Sequence, residues 1–473
     1  IRQRNDRSKQ SILEYGMKPT IKIKLVTLAL LSLGTLAANA NTDLLDVYQD
    51  ALKNDPQYKI SEANLRATEQ GVRINRSSLL PQVSASATKG RSDNDYSGQG
   101  LDGSPSDPFN NTVDSTTYRV QLSQSLFDWS QWVALEQSEL RVRASELNHA
   151  ASLQDLMTRT AQAYFQTLSS KEVLEAIGSE KRALQKQLDL TREQFESGLS
   201  TATDFLDAQA NFDQAQVNEL VAENEYNNAK EALREITGQY YSELESTSNE
   251  ITLTPPSPDN IDDWVRAAHE ANLSLKAKQF DVRVARQEVK RNRSGHYPTA
   301  DLSVSYSDQE TETDRYFPIQ NIDQNTLNMQ DGYQAGITVT IPLFSGFRTS
   351  AQTEQAKQNY LRATHELDQR DRLVHKNASM AYTNLQTSIK SFEANKRAYE
   401  SSLNSLESTQ EGYQAGTRNI VDVLIATRSA YSAQRNMIRA KYDYLISSLQ
   451  LKAAAGTLTE QDLSAVNNLL NQF

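Results

Sequence analysis

The sequence predicts an α+β membrane protein of two internal repeats, each built from long antiparallel coiled-coil helices plus two β-strands. Three observations predict it: a repeat at constant shift, proline-free stretches far longer than ordinary globular helices, and short alternating segments at equal places in both halves.

The repeat comes first. Leu80-Pro81 matches Tyr297-Pro298 and Leu126-Phe127 matches Leu343-Phe344, both at a shift of 217 residues; Ala163-Tyr164 matches Ala381-Tyr382 and Gly198 matches Gly416 at 218. The units run 41–237 and 261–455. A linker, 238–260, carries Pro255, Pro256 and Pro258, and a tail, 456–473, follows the second unit.

Ahead of the first unit, Met17 opens a secretory leader over 17–40. Lys18, Lys22 and Lys24 precede an apolar run from Leu25 to Leu36, and Ala38-Asn39-Ala40 supplies small residues before a cleavage point at Asn41. The run is too short for a stop-transfer helix, and residues 1–16 read as no part of the natural protein. Removing 1–40 takes seven of 49 basic and two of 60 acidic residues, so 42 face 58 and the net charge is −16. That balance argues against nucleic acid as a partner. With no cysteine there is no disulfide, no thiolate metal site and no lipid-modified N-terminal Cys.

Within each unit, proline placement maps the helices. None occurs from 109 to 254 or from 343 onward, and an interior proline costs about 3 kcal/mol in a helix. The segment 130–197 reads as one helix, roughly 100 Å long at 1.5 Å per residue. Leu174, Ile177, Leu184, Leu188 and Phe195 recur along it at steps of three and four. The return segment alternates large and small residues (Phe205, Ala208, Phe212, Ala215, Ala222, Tyr226, Ala229, Leu233), the pattern of knobs-into-holes packing. A shorter helix, 57–79 in the first unit, closes at Pro81. Its length and that of the return helix together predict end-to-end stacking beside the long helix.

Between the helices lie four strand signals, near 82–90, 116–127, 300–308 and 333–343. Tyr118, Val120 and Leu122, then Leu302, Val304 and Tyr306, then Ile337, Val339 and Ile341 alternate with polar residues, as in a barrel with lipid outside and water inside. Polar stretches near 89–115 and 308–332 read as solvent loops. Four strands fall short of the roughly eight that close a membrane barrel, so several copies must share one; arithmetic alone leaves two or three open.

Two glycine-broken tips join the long helices: Gln194 to Asp204 and Gly412 to Asp422. Gly198 and Gly416 suit the stop and Asn419 with Asp422 suits the restart.

The chain resembles the TolC family of outer membrane efflux proteins over 41–473. The likeness rests on Leu79-Leu80-Pro81-Gln82, Ser125-Leu126-Phe127-Asp128, Ile236-Thr237-Gly238-Gln239-Tyr240-Tyr241, the run Gly416 to Leu424, and Leu458-Thr459-Glu460-Gln461-Asp462-Leu463. The resemblance implies a homotrimer with a shared 12-stranded β-barrel in the outer membrane and a periplasmic α-helical tunnel, the linker and tail forming an equatorial belt. It implies a passive exit duct for efflux or type I secretion, gated where the tips converge, working with a periplasmic adaptor protein and an inner-membrane pump. By position, Tyr413 and Arg418 would bond Thr203 and Asp204 within or between protomers, Asp422 would form a cation-selective ring, and Gly198 and Gly416 would sit at the adaptor contact. Asp204 and Asp422 are equally explained as carboxylates at helix starts. The best-known member carries a second acidic ring three residues past the first; this chain has Ile425 there, with Asp207 its first-repeat counterpart. Weaker block by multivalent cations follows.

Two other classes were weighed. The five histidines (149, 269, 296, 365, 375) are scattered and no phosphate loop or nucleophile elbow occurs, so no enzyme, cofactor or metal site is read. A periplasmic coiled-coil scaffold explains the helices but not the four lipid-patterned strands.

Overall fold

A computed structural model describes residues 42–99, 105–246, 251 and 253–468. The leader read at 17–40 and the segment 1–16 lie outside them. In chain order the elements are α1 (Leu44–Asn54), α2 (Pro56–Ser77), β1 (Gln82–Gln99), β2 (Pro105–Phe127), α3 (Trp129–Glu196), α4 (Ala202–Thr237), α5 (Ile261–Ala271), α6 (Leu273–Arg293), β3 (Thr299–Phe317), β4 (Ile322–Thr340), α7 (Arg348–Gln414), α8 (Ile420–Ala454) and α9 (Glu460–Asn467).

The long helices are as the sequence predicts: α3 has 68 residues and α7 has 67, each about 100 Å long. Ala208, Ala215, Ala222 and Ala229, seven residues apart, are all buried. They form the small-residue seam that lets α4 lie close along α3. The expected stacking also holds, with one more element than expected. Each unit opens with an extra short helix, α1 or α5. Asp55 separates α1 from α2 and caps α2 through Tyr58 N, with Pro56 at its first position. The Asn54 side chain donates to the last carbonyl of α4, Thr237 O, at 2.9 Å, and Asn272 donates likewise to Ala454 O at 3.5 Å at the end of α8.

The strands correct the expectation more. The stretches read as loops near 89–115 and 308–332 are largely strand, so the ladders run well past the alternating segments, whereas β4 stops at Thr340 rather than 343. Backbone ladders need no apolar side chains, so Asp-, Asn- and Ser-rich sequence extends them beyond the alternating segments. The sheet order is β1-β2-β3-β4, antiparallel throughout. The register stacks Ala85, Val120, Tyr306 and Tyr333 in one row and Val83, Leu122, Val304 and Ala335 in the next. Leu302 and Ile337 continue the same face. Beyond the tyrosines that face turns polar, through Asp114, Asp308, Glu312 and Asp331.

The largest core surrounds Tyr164 and Phe165, midway along α3, and includes Leu44, Tyr48, Leu244, Tyr442, Leu445 and Leu463. Here the linker and tail wrap the helices. Thr42 bridges Leu244, the Tyr164 hydroxyl donates to Glu245 O at 2.8 Å, and the Tyr48 hydroxyl donates to Glu460 at 3.0 Å. Burial together with the Glu460 carboxylate raises the Tyr48 hydroxyl well above its usual pKa. Among the described residues no helix is long and apolar enough to cross a membrane.

Candidate functional site

The site lies at the end of the helical hairpins farthest along the chain from the sheet. Both tips use one backbone device. Gly198 and Gly416 take left-handed φ values of 75° and 73°. Leu199 N and Ser200 N bond Gln194 O, as Thr417 N and Arg418 N bond Gly412 O. An added Cβ would meet nothing at Gly198 or Gly416, so within the chain these glycines answer the backbone angle rather than crowding. Both restarts are capping boxes, Thr201 with Asp204 and Asn419 with Asp422.

Asp204 Oδ2 accepts from Thr201 N, Thr201 Oγ1 and Ser200 Oγ at 3.1, 2.8 and 3.1 Å. The Thr201 bonds hold its carboxyl below the usual carboxylate range. Asp422 Oδ2 accepts from Asn419 N at 3.3 Å. Both aspartates therefore cap helices, the role their position alone allowed.

Of the four residues read as a latch, three come to one cleft. Asp204, Tyr413 and Arg418 line a space of about 630 Å³ together with Gln194, Leu199 and Asn419. Thr203 is exposed and does not line it. Within the chain Tyr413 does not reach Thr203 or Asp204: its hydroxyl donates to Gln194 Oε1 at 2.8 Å. Arg418 has no ion pair or side-chain hydrogen bond among the described residues; its aliphatic stem lies over Gly412, where a Cβ would come within 2.8 Å of Cγ. The second glycine of the tip thus makes room for this arginine. Asp422, partly exposed, lies off the cleft, with Ile425 exposed one turn on. Asp207 is partly exposed.

Sequence reasoning missed Gln194 and the seam behind it. Leu184 and Leu188 of α3, Ala208 and Ala215 of α4, and Ile420, Val423 and Leu424 of α8 form a separate apolar cluster just behind the tips. Further along, two charged contacts join α3 to α8. Lys441 Nζ meets Glu172 at 2.8 Å while the Tyr442 hydroxyl donates to the same carboxylate at 2.5 Å, and Arg435 pairs with the buried Glu180. Burial depresses the Lys441 amine and the Glu172 carboxylate offsets part of that. Lys441 stands between Arg439 and Asp443 in the sequence, so nothing in the local pattern singled it out.

A helix-rich chain whose hairpins carry a four-stranded sheet with one apolar face has the architecture of an outer-membrane channel subunit. The chain belongs to the outer membrane efflux protein family, matching it over 47–239 and again over 264–457, once for each repeat. It is 35% identical over 437 residues to outer membrane protein TolC of Vibrio cholerae, covering 92% of this chain and 96% of that protein. It is 29% identical over 426 residues to alkaline protease secretion protein AprF of Pseudomonas aeruginosa, covering 89% of this chain and 86% of that protein. In fold it is similar to the Campylobacter jejuni CmeC outer membrane channel, with a TM-score of 0.74 at 17% identity over 92% of this chain and 91% of that one.

Proposed function

We propose that three copies of this chain form an outer-membrane exit duct: a shared 12-stranded barrel continued by a helical tunnel into the periplasm, closed at the hairpin tips. The observation that carries the reading is the sheet. Its order leaves β1 and β4 as edges with one neighbour each, its apolar face is patterned for lipid, and open edges are not tolerated in hydrocarbon. Four strands per copy need sharing, and the family likeness supports three copies. The duct is passive and serves efflux, type I secretion or both; relatives named for outer membrane efflux and for protease secretion support either use. A periplasmic adaptor docks at the tips, where Gly198 and Gly416 leave open space, and couples the duct to an inner-membrane pump.

Closure rests on polar contacts at the cleft. Tyr413 tethers α7 to α3 through Gln194, and Arg418, without an ion pair among the described residues, reaches Thr203 or Asp204 of the adjacent tip. A few charge-assisted hydrogen bonds, each worth roughly 1.5–3 kcal/mol, bias a two-state gate and remain breakable. Planar-bilayer conductance tests it. Wild type gives a small, mostly closed pore, and Tyr413→Phe with Arg418→Glu gives a much larger one. Equal conductance in the two proteins refutes the gate.

A further inference from the structure

The two repeats make a seam with each other inside the chain, and the same seam has an unfilled counterpart. Helix α3 corresponds to α7 and α4 to α8, at a shift of 218 from Tyr164 and Tyr382 through the tip glycines to Gly238 and Gly456. Inside the chain α3 packs against α8. No comparable packing of α7 along α4 occurs among the described residues: away from the tip, where Tyr413 reaches the apolar cluster, α7 packs on α8, α6 and α5, and α4 keeps a free flank.

That flank retains the character of its buried counterpart. Leu424 and Ile438 of α8 are 2% and 6% exposed against α3 and its neighbours, whereas Leu206 and Leu220, the matching residues of α4, are 61% and 66% exposed. The charges match too, with their signs exchanged. Glu172 of α3 corresponds to Lys390 of α7, and Lys441 of α8 corresponds to Glu223 of α4. Lys390 and Glu223 are exposed and neither has an ion pair or hydrogen bond among the described residues. Glu180 and Arg435, the second in-chain pair, correspond to Ala398 and Val217, so the charged contact becomes an apolar one; Val217 is 53% exposed.

We infer that the free flank of α4 receives α7 of a second copy in a seam quasi-equivalent to the α3–α8 seam, with Lys390 of one copy paired to Glu223 of the next. Head-to-tail repetition of this contact is heterologous and gives a ring where its rotation closes, as the duct requires, so the inference deepens the duct reading and rests on it. A like-charged or mismatched pair at this level would have argued against it. Opposite charge at both positions, with apolar residues facing at the level of the lost pair, is what the second copy supplies.

The test uses charge reversal in the full chain, purified in mild detergent. Lys390→Glu alone and Glu223→Lys alone each place like charges across the seam and lower the temperature at which the oligomer dissociates. Lys390→Glu with Glu223→Lys in one chain restores the pair in reversed sense and recovers most of that loss. In the cysteine-free background, Lys390→Cys with Glu223→Cys gives, on oxidation, chains linked in twos and threes and no faster-running intrachain product. A double reversal no better than the singles, together with no interchain linkage, overturns the seam. A wild type that has the mass of one chain overturns the duct reading itself, whereas a multimer without rescue overturns only the pairing.

Discussion

At the residue scale, the tip assigns two duties to one side chain. Asp422 caps α8 through Asn419 and carries the charge proposed to ring the entrance. Alanine removes both functions; asparagine accepts the same backbone bond and removes only the charge. Asp422→Asn is therefore the clean probe. It is expected to abolish most of whatever block trivalent cations exert on the open pore, while the folded oligomer keeps its stability. Undiminished block in single-channel recordings would sink the ring. The neighbouring tether shows why sequence could not supply every contact. Gln194, which accepts from Tyr413, corresponds in the second repeat to Gly412, so repeat logic offers no partner of matching chemistry. Gly412 itself signals a break in the helix pattern, but its use, space for the Arg418 stem, depends on a close approach that only coordinates reveal.

At the element scale, legibility followed the physics that shaped each segment. Helices packed along their whole length write a periodic pattern; α3 was readable to within one residue at each end, and the stops and restarts at both tips were legible from their glycines and caps. Strands write alternation only where one face meets lipid. The polar outer halves of β1 to β4 are held by backbone ladders and look like loops. Contacts between helices, such as those joining α3 to α8, depend on which flanks meet and leave little trace in one sequence. Those contacts make a prediction of their own. Lys441 is buried, and Glu172 is its compensating charge. Breaking a buried pair from one side strands a charge, so Lys441→Met is expected to cost on the order of 3 kcal/mol. Tyr442 still bonds Glu172 and limits the loss. Lys441→Met with Glu172→Leu removes both charges and is expected to recover much of the stability, because an apolar replacement of a buried pair is often neutral. Thermal unfolding followed by circular dichroism separates the cases. A double variant no more stable than the single would mean the pair acts through something other than mutual charge compensation.

At the scale of the whole molecule, the proposed ring would have two kinds of seam in alternation, and they would not be equally held. The seam inside each chain carries the Lys441–Glu172–Tyr442 contact, the Arg435–Glu180 pair and the apolar cluster behind the tips. The proposed seam between chains has one charged pair, Lys390 with Glu223, and an alanine facing a valine where the second pair would be. With one charged pair against two, and no counterpart of the Arg435–Glu180 contact, the interchain seam is expected to yield first when the tips part. On this reading the chain is expected to move as a unit, with opening a widening between copies. Disulfide locks discriminate the two seams. Glu180→Cys with Arg435→Cys, oxidised in the gate-weakened background, ties α3 to α8 within a chain and leaves the large conductance intact. Val217→Cys with Ala398→Cys ties neighbouring copies and holds the pore at its closed conductance until reductant is added. If the in-chain lock instead closes the pore, the moving boundary runs through the chain itself, and α8 swings away from α3 against its buried charges.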